Sequence, residues 1–303
     1  MSVVVSKLTK AFGEQKAVNN ISFEAKPGEI VGFLGPNGAG KSTTMKITTG
    51  YLSPTEGSVQ VCGADVVENS MEVRKNIGYL PEHNPLYLDM YIKEYLRFIG
   101  GLHGLKGKKL QQRLNDMVEL CGLQREQHKK IGAISKGYRQ RVGLAQSLIH
   151  DPPVLILDEP TSGLDPNQIV EIREVIRNIG KDKTVIFSTH IMQEVQAMCN
   201  RVIIINLGQL VADGEVDTLK AMQNQGNVFI IEFKEDIDTA LVAQLEGVTK
   251  VDTLGDHKYR VYADKEIDVR PTMFELAKTH HWTLVGLQQQ ENTLEDVFQN
   301  LTK

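Results

Sequence analysis

A glycine-rich segment at residues 35–42 carries the most specific chemical pattern in the sequence, Gly-Pro-Asn-Gly-Ala-Gly-Lys-Ser. It fits the spacing G-x-x-x-x-G-K-[ST], follows a predicted strand at residues 30–34 and precedes a predicted helix. In such a loop main-chain N–H groups surround phosphate oxygens, the lysine contacts the terminal phosphates and the hydroxyl binds Mg²⁺. The predicted phosphate-binding residues are Gly35, Asn37, Gly38, Ala39, Gly40, Lys41, Ser42 and Thr43.

Two acidic residues and a histidine follow predicted buried strands. Asp158 and Glu159 come after the apolar run 154–157, and His190 comes after the run 185–189. Alone, each of these is also compatible with an ordinary strand end. Beside a phosphate loop, Asp158 is expected to hold Mg²⁺ together with Ser42, and Glu159 is placed to orient or deprotonate a water. The strand before His190 is expected to lie beside the phosphate-loop strand, which places the imidazole near the γ-phosphate.

The surrounding elements predict an α/β fold for residues 1–220. Short runs rich in Val, Ile, Leu and Phe alternate with amphipathic helices, which indicates a sheet covered by helices on both faces. The predicted strands are residues 29–34, 154–157, 184–188 and 201–206. Between about residues 85 and 150 strand patterns vanish and helical spacing takes over, which predicts a helical subdomain inserted into the core.

A polar stretch at residues 221–227 predicts a linker between two domains. Residues 228–303 then read as strand, helix, strand, strand, helix, strand, the order of a small ferredoxin-like α+β unit, followed by a helix at 293–301. This accessory domain has eight lysines and arginines against fourteen aspartates and glutamates. The acidic balance is unfavourable for binding nucleic acid and favours contact with protein.

The composition of all 303 residues excludes several classes of protein. With 41% hydrophobic and 24% charged residues and a net charge of −4, the chain is neither disordered nor a dedicated nucleic-acid binder. No apolar run reaches the length of a membrane span, and the N-terminus has no signal-peptide pattern. The three cysteines are far apart and odd in number, which is typical of a reducing compartment. We therefore expect a cytoplasmic location with no intrinsic membrane span.

Taken together, these motifs resemble the ATP-binding-cassette (ABC) family over residues 1–220. The segment 134–140, Ile-Ser-Lys-Gly-Tyr-Arg-Gln, resembles the family's signature loop, and the segment 163–165, Gly-Leu-Asp, resembles its D-loop. Phe12 stands where the family has an aromatic that stacks on adenine, and Val18 where it has an apolar neighbour. The resemblance implies a RecA-like P-loop ATPase core that binds ATP and Mg²⁺.

The resemblance also implies a working assembly. In the family, the signature loop of one subunit meets the γ-phosphate held by the phosphate loop of a second subunit, and ATP hydrolysis moves an attached membrane permease. Carried over, Ser135, Gly137 and Asp165 would face the nucleotide of a partner cassette, with Glu159, His190 and Lys41 as the catalytic residues. One cassette per chain implies a homodimer on the inner face of the membrane. Ser135 is in addition a favourable N-cap for the helix that follows.

Two departures from the family pattern concern the signature and Glu82. Lys136 and Tyr138 replace the usual glycine and glutamine of the signature, while Ser135 and Gly137 are kept. Glu82 stands where many members have a glutamine that reaches Mg²⁺; a carboxylate can still bind the metal but cannot donate a hydrogen bond.

Within the family, three features are similar to ABC-2-type exporters and especially to the gliding-motility-associated group of Bacteroidetes: Leu-Pro-Glu at residues 80–82, the signature, and Thr-Leu-Glu-Asp-Val-Phe at residues 293–298. The alternative is a soluble cassette ATPase acting on ribosomes or DNA, which usually has two cassettes or a coiled-coil insertion. A degenerate subunit without catalysis is disfavoured by the intact Lys41, Ser42, Asp158, Glu159 and His190.

Overall fold

The computed structural model describes residues 1–222, 227–265, 267–290 and 298. These residues fall into two compact units, the first Met1–Val216 and the second beginning at Asp217. The strands of the first unit are β1 (Val3–Phe12), β2 (Gln15–Ala25), β3 (Ile30–Leu34), β4 (Glu56–Val61), β5 (Ala64–Asp65), β6 (Ile77–Leu80), β7 (Val154–Asp158), β8 (Thr184–Thr189), β9 (Arg201–Asn206) and β10 (Gln209–Glu215). Its helices are α1 (Lys41–Thr48), α2 (Ser70–Asn76), α3 (Ile92–Leu102), α4 (Gly107–Leu120), α5 (Lys136–Leu148), α6 (Pro166–Gly180) and α7 (Met192–Met198), and α8 (Val216–Met222) follows at the division between the units.

Two sheets form the centre of the first unit. The larger has six strands in the order β10-β9-β3-β8-β7-β6, all parallel except β10, which pairs antiparallel with β9. Strands β3, β7 and β8 are buried along their whole length, as expected for parallel strands that are covered on both faces. Since β3, β7 and β8 are neighbours, the segments that follow them emerge at the same edge of the sheet, which is where parallel α/β sheets bind ligands.

The second sheet is an element that was not predicted from the sequence, and it covers one face of the large sheet together with α1. It is antiparallel, has the order β2-β1-β4-β5, and shares a buried apolar cluster with one face of the large sheet and with α1. Val31 and Phe33 point into this cluster, whereas Ile30 belongs to a second cluster on the opposite face, together with residues of α3 to α6. Successive side chains of a strand point to opposite faces, so β3 contributes to both cores.

Between the end of β6 and the start of β7, the chain has three α-helices, α3, α4 and α5, and one short 3₁₀ turn at Ile131–Ala133. Helix α3 buries Tyr95 and Leu96, α4 buries Leu114 and Met117, and these side chains join the cluster that includes α5. In the part of the chain that is described, no helix is both long and apolar enough to cross a bilayer.

The second unit contains a four-stranded antiparallel sheet. Its elements are β11 (Asn227–Phe233), α9 (Thr239–Ala243), β12 (Val248–Gly255), β13 (Lys258–Ala263), α10 (Arg270–Thr279) and β14 (Leu284–Gln290). The strand order is β12-β13-β11-β14, and alternate residues of β11 (Phe229, Ile231, Phe233) are buried in a separate core with Val242 and Met273 of the two helices. The helix expected at residues 293–301 lies, apart from Phe298, outside the described residues.

Candidate active site

The phosphate loop connects β3 to α1, and its conformation depends on glycine. Gly40 has a φ of 107°, and a Cβ on it would lie 2.4 Å from the carbonyl oxygen of Ala17, so no other residue fits without displacement. Lys41, at the start of α1, is buried, and its Nζ donates to the carbonyl oxygens of Gly35 (2.8 Å) and Pro36 (3.2 Å). The ammonium group is thereby held over the loop that it closes, and the first-turn N–H groups of α1 face the same side.

Asp158 is joined to the phosphate loop through Ser42. The Ser42 hydroxyl donates to Asp158 Oδ1 over 3.0 Å, and the Ser188 hydroxyl donates to the same oxygen over 2.5 Å. Ser188 Oγ also accepts the main-chain N–H of Glu159 (3.0 Å), which fixes the direction in which the chain leaves β7. A serine hydroxyl beside a carboxylate offers oxygen ligands of the kind that Mg²⁺ prefers, so Ser42 and Asp158 fit the metal that the resemblance implies.

Glu159 forms the centre of a small charged group. Its side chain is 9% exposed; Oε1 lies 3.5 Å from Lys41 Nζ, and its two carboxylate oxygens lie 3.1 and 2.9 Å from Nδ1 of His190. Because a carboxylate only accepts hydrogen bonds, Nδ1 carries the proton of a neutral His190, and its Nε2 remains available as an acceptor. The backbone of Glu159 has a φ of 48°, a left-handed conformation that is unusual for a residue other than glycine.

A cleft of about 400 Å³ joins these groups. It is lined by Ala17, Asn37, Gly38, Gly40, Lys41, Ser42, Thr43, Glu82, Glu159, Ser162 and His190. Most of the predicted phosphate and catalytic residues therefore share one cleft, and Gly35, Ala39 and Asp158 are buried next to them. Glu82, proposed from sequence as a metal ligand, lines the same cleft as Ser42.

The other predicted residues do not line this cleft. Phe12 is 54% exposed at the end of β1, with Lys10 Nζ 5.2 Å from its ring centroid, and Val18 is buried beside Gly40. Ser135 caps α5, as predicted, by accepting the N–H of Tyr138. Gly137 and Asp165 lie near each other and do not line the cleft. Gln168 joins them, because its main-chain N–H donates to Asp165 and its side chain lies against Gly137.

Sequence reasoning did not identify several residues that hold the site together, among them Ser188 and Gln140. Ser188 is directly opposite Asp158 in the β7–β8 ladder, and this pairing could have been found by aligning the starts of the two predicted strands, residues 154 and 184. Gln140, on α5, is buried and donates through Nε2 to the carbonyl oxygen of Pro160 (2.8 Å), the residue after Glu159. Gln140 ends the segment 134–140 that resembles the signature, but the sequence does not show that its amide reaches Pro160.

Substitution of Gly40 by alanine is expected to damage the phosphate loop. The new Cβ would require both an unfavourable φ and displacement of Ala17, so we expect about 1–3 kcal/mol loss of stability and a large loss of nucleotide affinity. Thermal unfolding and binding of a fluorescent ATP analogue measure these effects. Gly104→Ala is the matched control, since Gly104 has a φ of 80° but no atom within 4 Å of its added Cβ. Equal losses in both variants would show that the close approach to Ala17 is unimportant.

Comparison with known proteins agrees with this geometry. The family model described as "ABC transporter" matches residues 18–162, and a model described as "AAA domain, putative AbiEii toxin, Type IV TA system" matches residues 131–195. The chain is 41% identical over 234 residues to the "Uncharacterized ABC transporter ATP-binding protein YxlF" of Bacillus subtilis (strain 168), covering 77% of each chain. The chain belongs to the ABC transporter ATP-binding family.

Two further similarities extend the comparison of this ABC protein. It is 32% identical over 311 residues to the "Bacitracin transport ATP-binding protein BcrA" of Bacillus licheniformis, covering 99% of this chain and 98% of the relative. A solved dimeric ATP-binding cassette in a post-hydrolysis state, bound to ADP and Pi, is 25% identical with a TM-score of 0.64. That alignment covers 70% of this chain and 98% of the solved one. The P-loop ATPase fold predicted from sequence is confirmed, and family membership makes the chain an ATP-binding protein.

Proposed function

We propose that this chain binds and hydrolyses ATP between two head-to-tail copies and thereby drives an ABC-2-type membrane exporter. The observation that carries the proposal is the position of Glu159: a buried carboxylate directed into the phosphate-loop cleft, within reach of Lys41 and His190. Groups with these charges next to a phosphate-binding loop fit phosphoryl transfer to water better than storage of a nucleotide.

The chemistry of the cleft divides among three side chains. Lys41 supplies positive charge to the terminal phosphates. Glu159 holds or deprotonates the attacking water, and His190, which donates from Nδ1 to Glu159, leaves Nε2 directed to accept or relay a proton. Bound Mg²⁺, held by Ser42 and Asp158 with Glu82 nearby, would neutralise phosphate charge. Phe12 and Val18 are proposed to lie against the adenine.

Two copies are proposed because the signature is separate from the cleft in a single chain. Ser135 is exposed at the start of α5, where free N–H groups and the positive end of the helix dipole would attract a phosphate. Gly137 and Asp165 lie beside the same helix end. A second copy in the head-to-tail arrangement would bring this surface to the γ-phosphate, and the similar cassette bound to ADP and Pi is described as dimeric.

Coupling to a membrane permease is proposed for the segment after β6. A second cavity of about 440 Å³ adjoins the phosphate cleft, because Glu82 lines both. Its other lining residues include Pro81, His83 and Pro85. A partner seated there would contact a residue that also faces the nucleotide. The relative BcrA is described as a bacitracin transport ATP-binding protein, which supports a role in transport. We place the chain on the cytoplasmic face of the membrane; the link to gliding motility rests on the sequence resemblance alone.

The experiment that tests this assignment is fractionation of cells that express a tagged full-length chain from its own locus. We expect the chain in the membrane fraction together with a polytopic protein. Sedimentation with ribosomes or DNA instead would support the alternative of a soluble cassette ATPase, which the transporter names of the relatives do not favour.

Replacement of Ser135 by arginine tests the head-to-tail arrangement. In a Glu159→Gln background, where ATP is not consumed, the large cation at the start of α5 should prevent ATP-dependent dimerisation. Binding of ATP to the monomer should stay within about threefold, because Ser135 does not line the cleft of its own chain. Light scattering after gel filtration measures the dimer. Ser53→Arg, also at an exposed serine, is the control and should still dimerise. Dimerisation of the Ser135 variant at parental ATP concentrations would contradict the arrangement.

A further inference from the structure

Glu194 is a buried carboxylate that the chemistry above does not use. It lies in the first turn of α7 with 0% exposure, and it does not line the phosphate cleft. Burial of a charged carboxylate is costly unless its oxygens receive hydrogen bonds or a cation. Its contacts therefore indicate what it stabilises.

Both oxygens of Glu194 are hydrogen-bonded to threonines of the two segments that carry catalytic groups. Oε1 accepts the hydroxyl of Thr161, two residues after Glu159, and Oε2 accepts the hydroxyl of Thr189, the residue before His190, over 2.6 Å. Thr161 and Thr189 are themselves buried. A single side chain thus joins the segment after β7 to the end of β8.

The cation next to Glu194 comes from a third element. Arg173 of α6 has Nη2 3.9 Å from Oε1, and its Nε is buried without a hydrogen-bond partner among the described residues. At this distance the arginine balances the charge of the carboxylate without competing for the positions that the two threonine hydroxyls occupy. The Glu194 carboxylate thus holds the hydroxyls of Thr161 and Thr189 in fixed positions, and these three side chains are called the clamp below.

The conformation of Glu159 gives this clamp a purpose. A glutamate with a φ of 48° stays in that conformation only when its surroundings hold it there. The Ser188 hydroxyl accepts the main-chain N–H of Glu159, and the hydrogen bond from Thr161 to Glu194 fixes the chain two residues later. Thr189 fixes the backbone just before His190, and its carbonyl oxygen also accepts the N–H of Gly35 at the start of the phosphate loop (3.4 Å).

We propose that Glu194 is a positioning residue that holds Glu159 and His190 in register through Thr161 and Thr189. It does not touch the nucleotide. The inference rests on the proposed ATPase function, because it assigns to Glu194 the distance of about 3 Å between the Glu159 carboxylate and the imidazole. Loss of the clamp lets the two catalytic groups separate while the phosphate loop, held by its own main chain and by Lys41, remains intact.

The test compares turnover with nucleotide affinity. For Glu194→Ala, Thr161→Val and Thr189→Val we expect kcat to fall by about 10- to 100-fold, while the Kd for ATP changes by less than about threefold. Glu194→Gln, which keeps the shape and one acceptor oxygen, should recover part of the loss. In a Glu194→Ala background, adding Thr161→Val and Thr189→Val should lower kcat little further, because all three substitutions remove the same connection.

The control is Thr184→Val at the opposite end of β8. Thr184 is also buried, and its hydroxyl is bonded to Ser2 and Lys26 rather than to Glu194, so this variant should keep the parental kcat. If the parent hydrolyses ATP and Glu159→Gln does not, but the Glu194 and Thr189 variants keep parental kcat, the positioning role is wrong and the ATPase function stands. Equal losses of kcat and ATP affinity would also overturn it, since they would show a general structural role. A parent without ATPase activity would instead refute the proposed function.

Discussion

Glu159→Gln is expected to stop ATP hydrolysis while ATP binding stays intact. The amide has the shape of the carboxylate but cannot take a proton, and general-base catalysis is typically worth about 100- to 10,000-fold in rate. Lys41 and the phosphate loop, which are proposed to bind the phosphates, are unchanged. Release of phosphate under single-turnover conditions measures the rate, and equilibrium dialysis with labelled ATP measures binding. The trapped nucleotide should also make the variant dimeric in ATP.

Glu174→Gln is the matched control for this prediction. Glu174 is an exposed glutamate on α6 and does not line the cleft, so its amide variant should hydrolyse ATP at the parental rate. Parental turnover by Glu159→Gln would show that another group activates the water, and the assignment of the base would have to be abandoned.

Lys41→Ala is expected to lose affinity for nucleotide itself. The ammonium of Lys41 is buried beside the loop that it closes, and hydrogen bonds between charged groups contribute about 1.5–3 kcal/mol, which corresponds to a Kd higher by about 10- to 100-fold. The substitution also removes the ion pair between Lys41 and Glu159, so that among the described residues His190 remains as the partner of the Glu159 carboxylate. Isothermal titration with ATP and with ADP measures the change, which should be larger for ATP.

Lys46→Ala separates this effect from a general loss of positive charge. Lys46 is in the last turn of the same helix, is exposed and lies outside the phosphate cleft, so its Kd for ATP should stay within about threefold of the parent. Similar losses for Lys41→Ala and Lys46→Ala would mean that the field of α1, rather than contact by Lys41, attracts the nucleotide.

The sequence was sufficient to predict the centre of the site because its residues follow strands. Residues 35–42 have a fixed spacing, and Asp158 and His190 stand at the ends of short runs that are typical of buried parallel strands. The pairing of β8 with β3 was likewise predicted correctly. The antiparallel sheet of β1, β2, β4 and β5 was not, because its strands alternate buried and exposed residues and are interrupted by irregular register.

Contacts between side chains distant in sequence could not be predicted in the same way. Glu194 occupies an ordinary helical position four residues after His190, and only the folded structure shows that it is buried and bonded to Thr161, after β7, and to Thr189, at the end of β8. Gln140 is similar: its amide reaches Pro160 across the core. Such long-range hydrogen bonds depend on tertiary packing, on which local periodicity carries no information.

The bond from Gln140 to Pro160 has a mechanical consequence. Helix α5 begins after Ser135, proposed to face a second copy, and little more than one helical turn later it grips the backbone beside Glu159. Helix α5 therefore directly connects the proposed dimer contact with the proposed hydrolytic residues of the same chain. A second copy that tilts the start of α5 would shift Glu159, the proposed base of the same subunit, so that each cassette would respond through α5 to ATP bound by its partner.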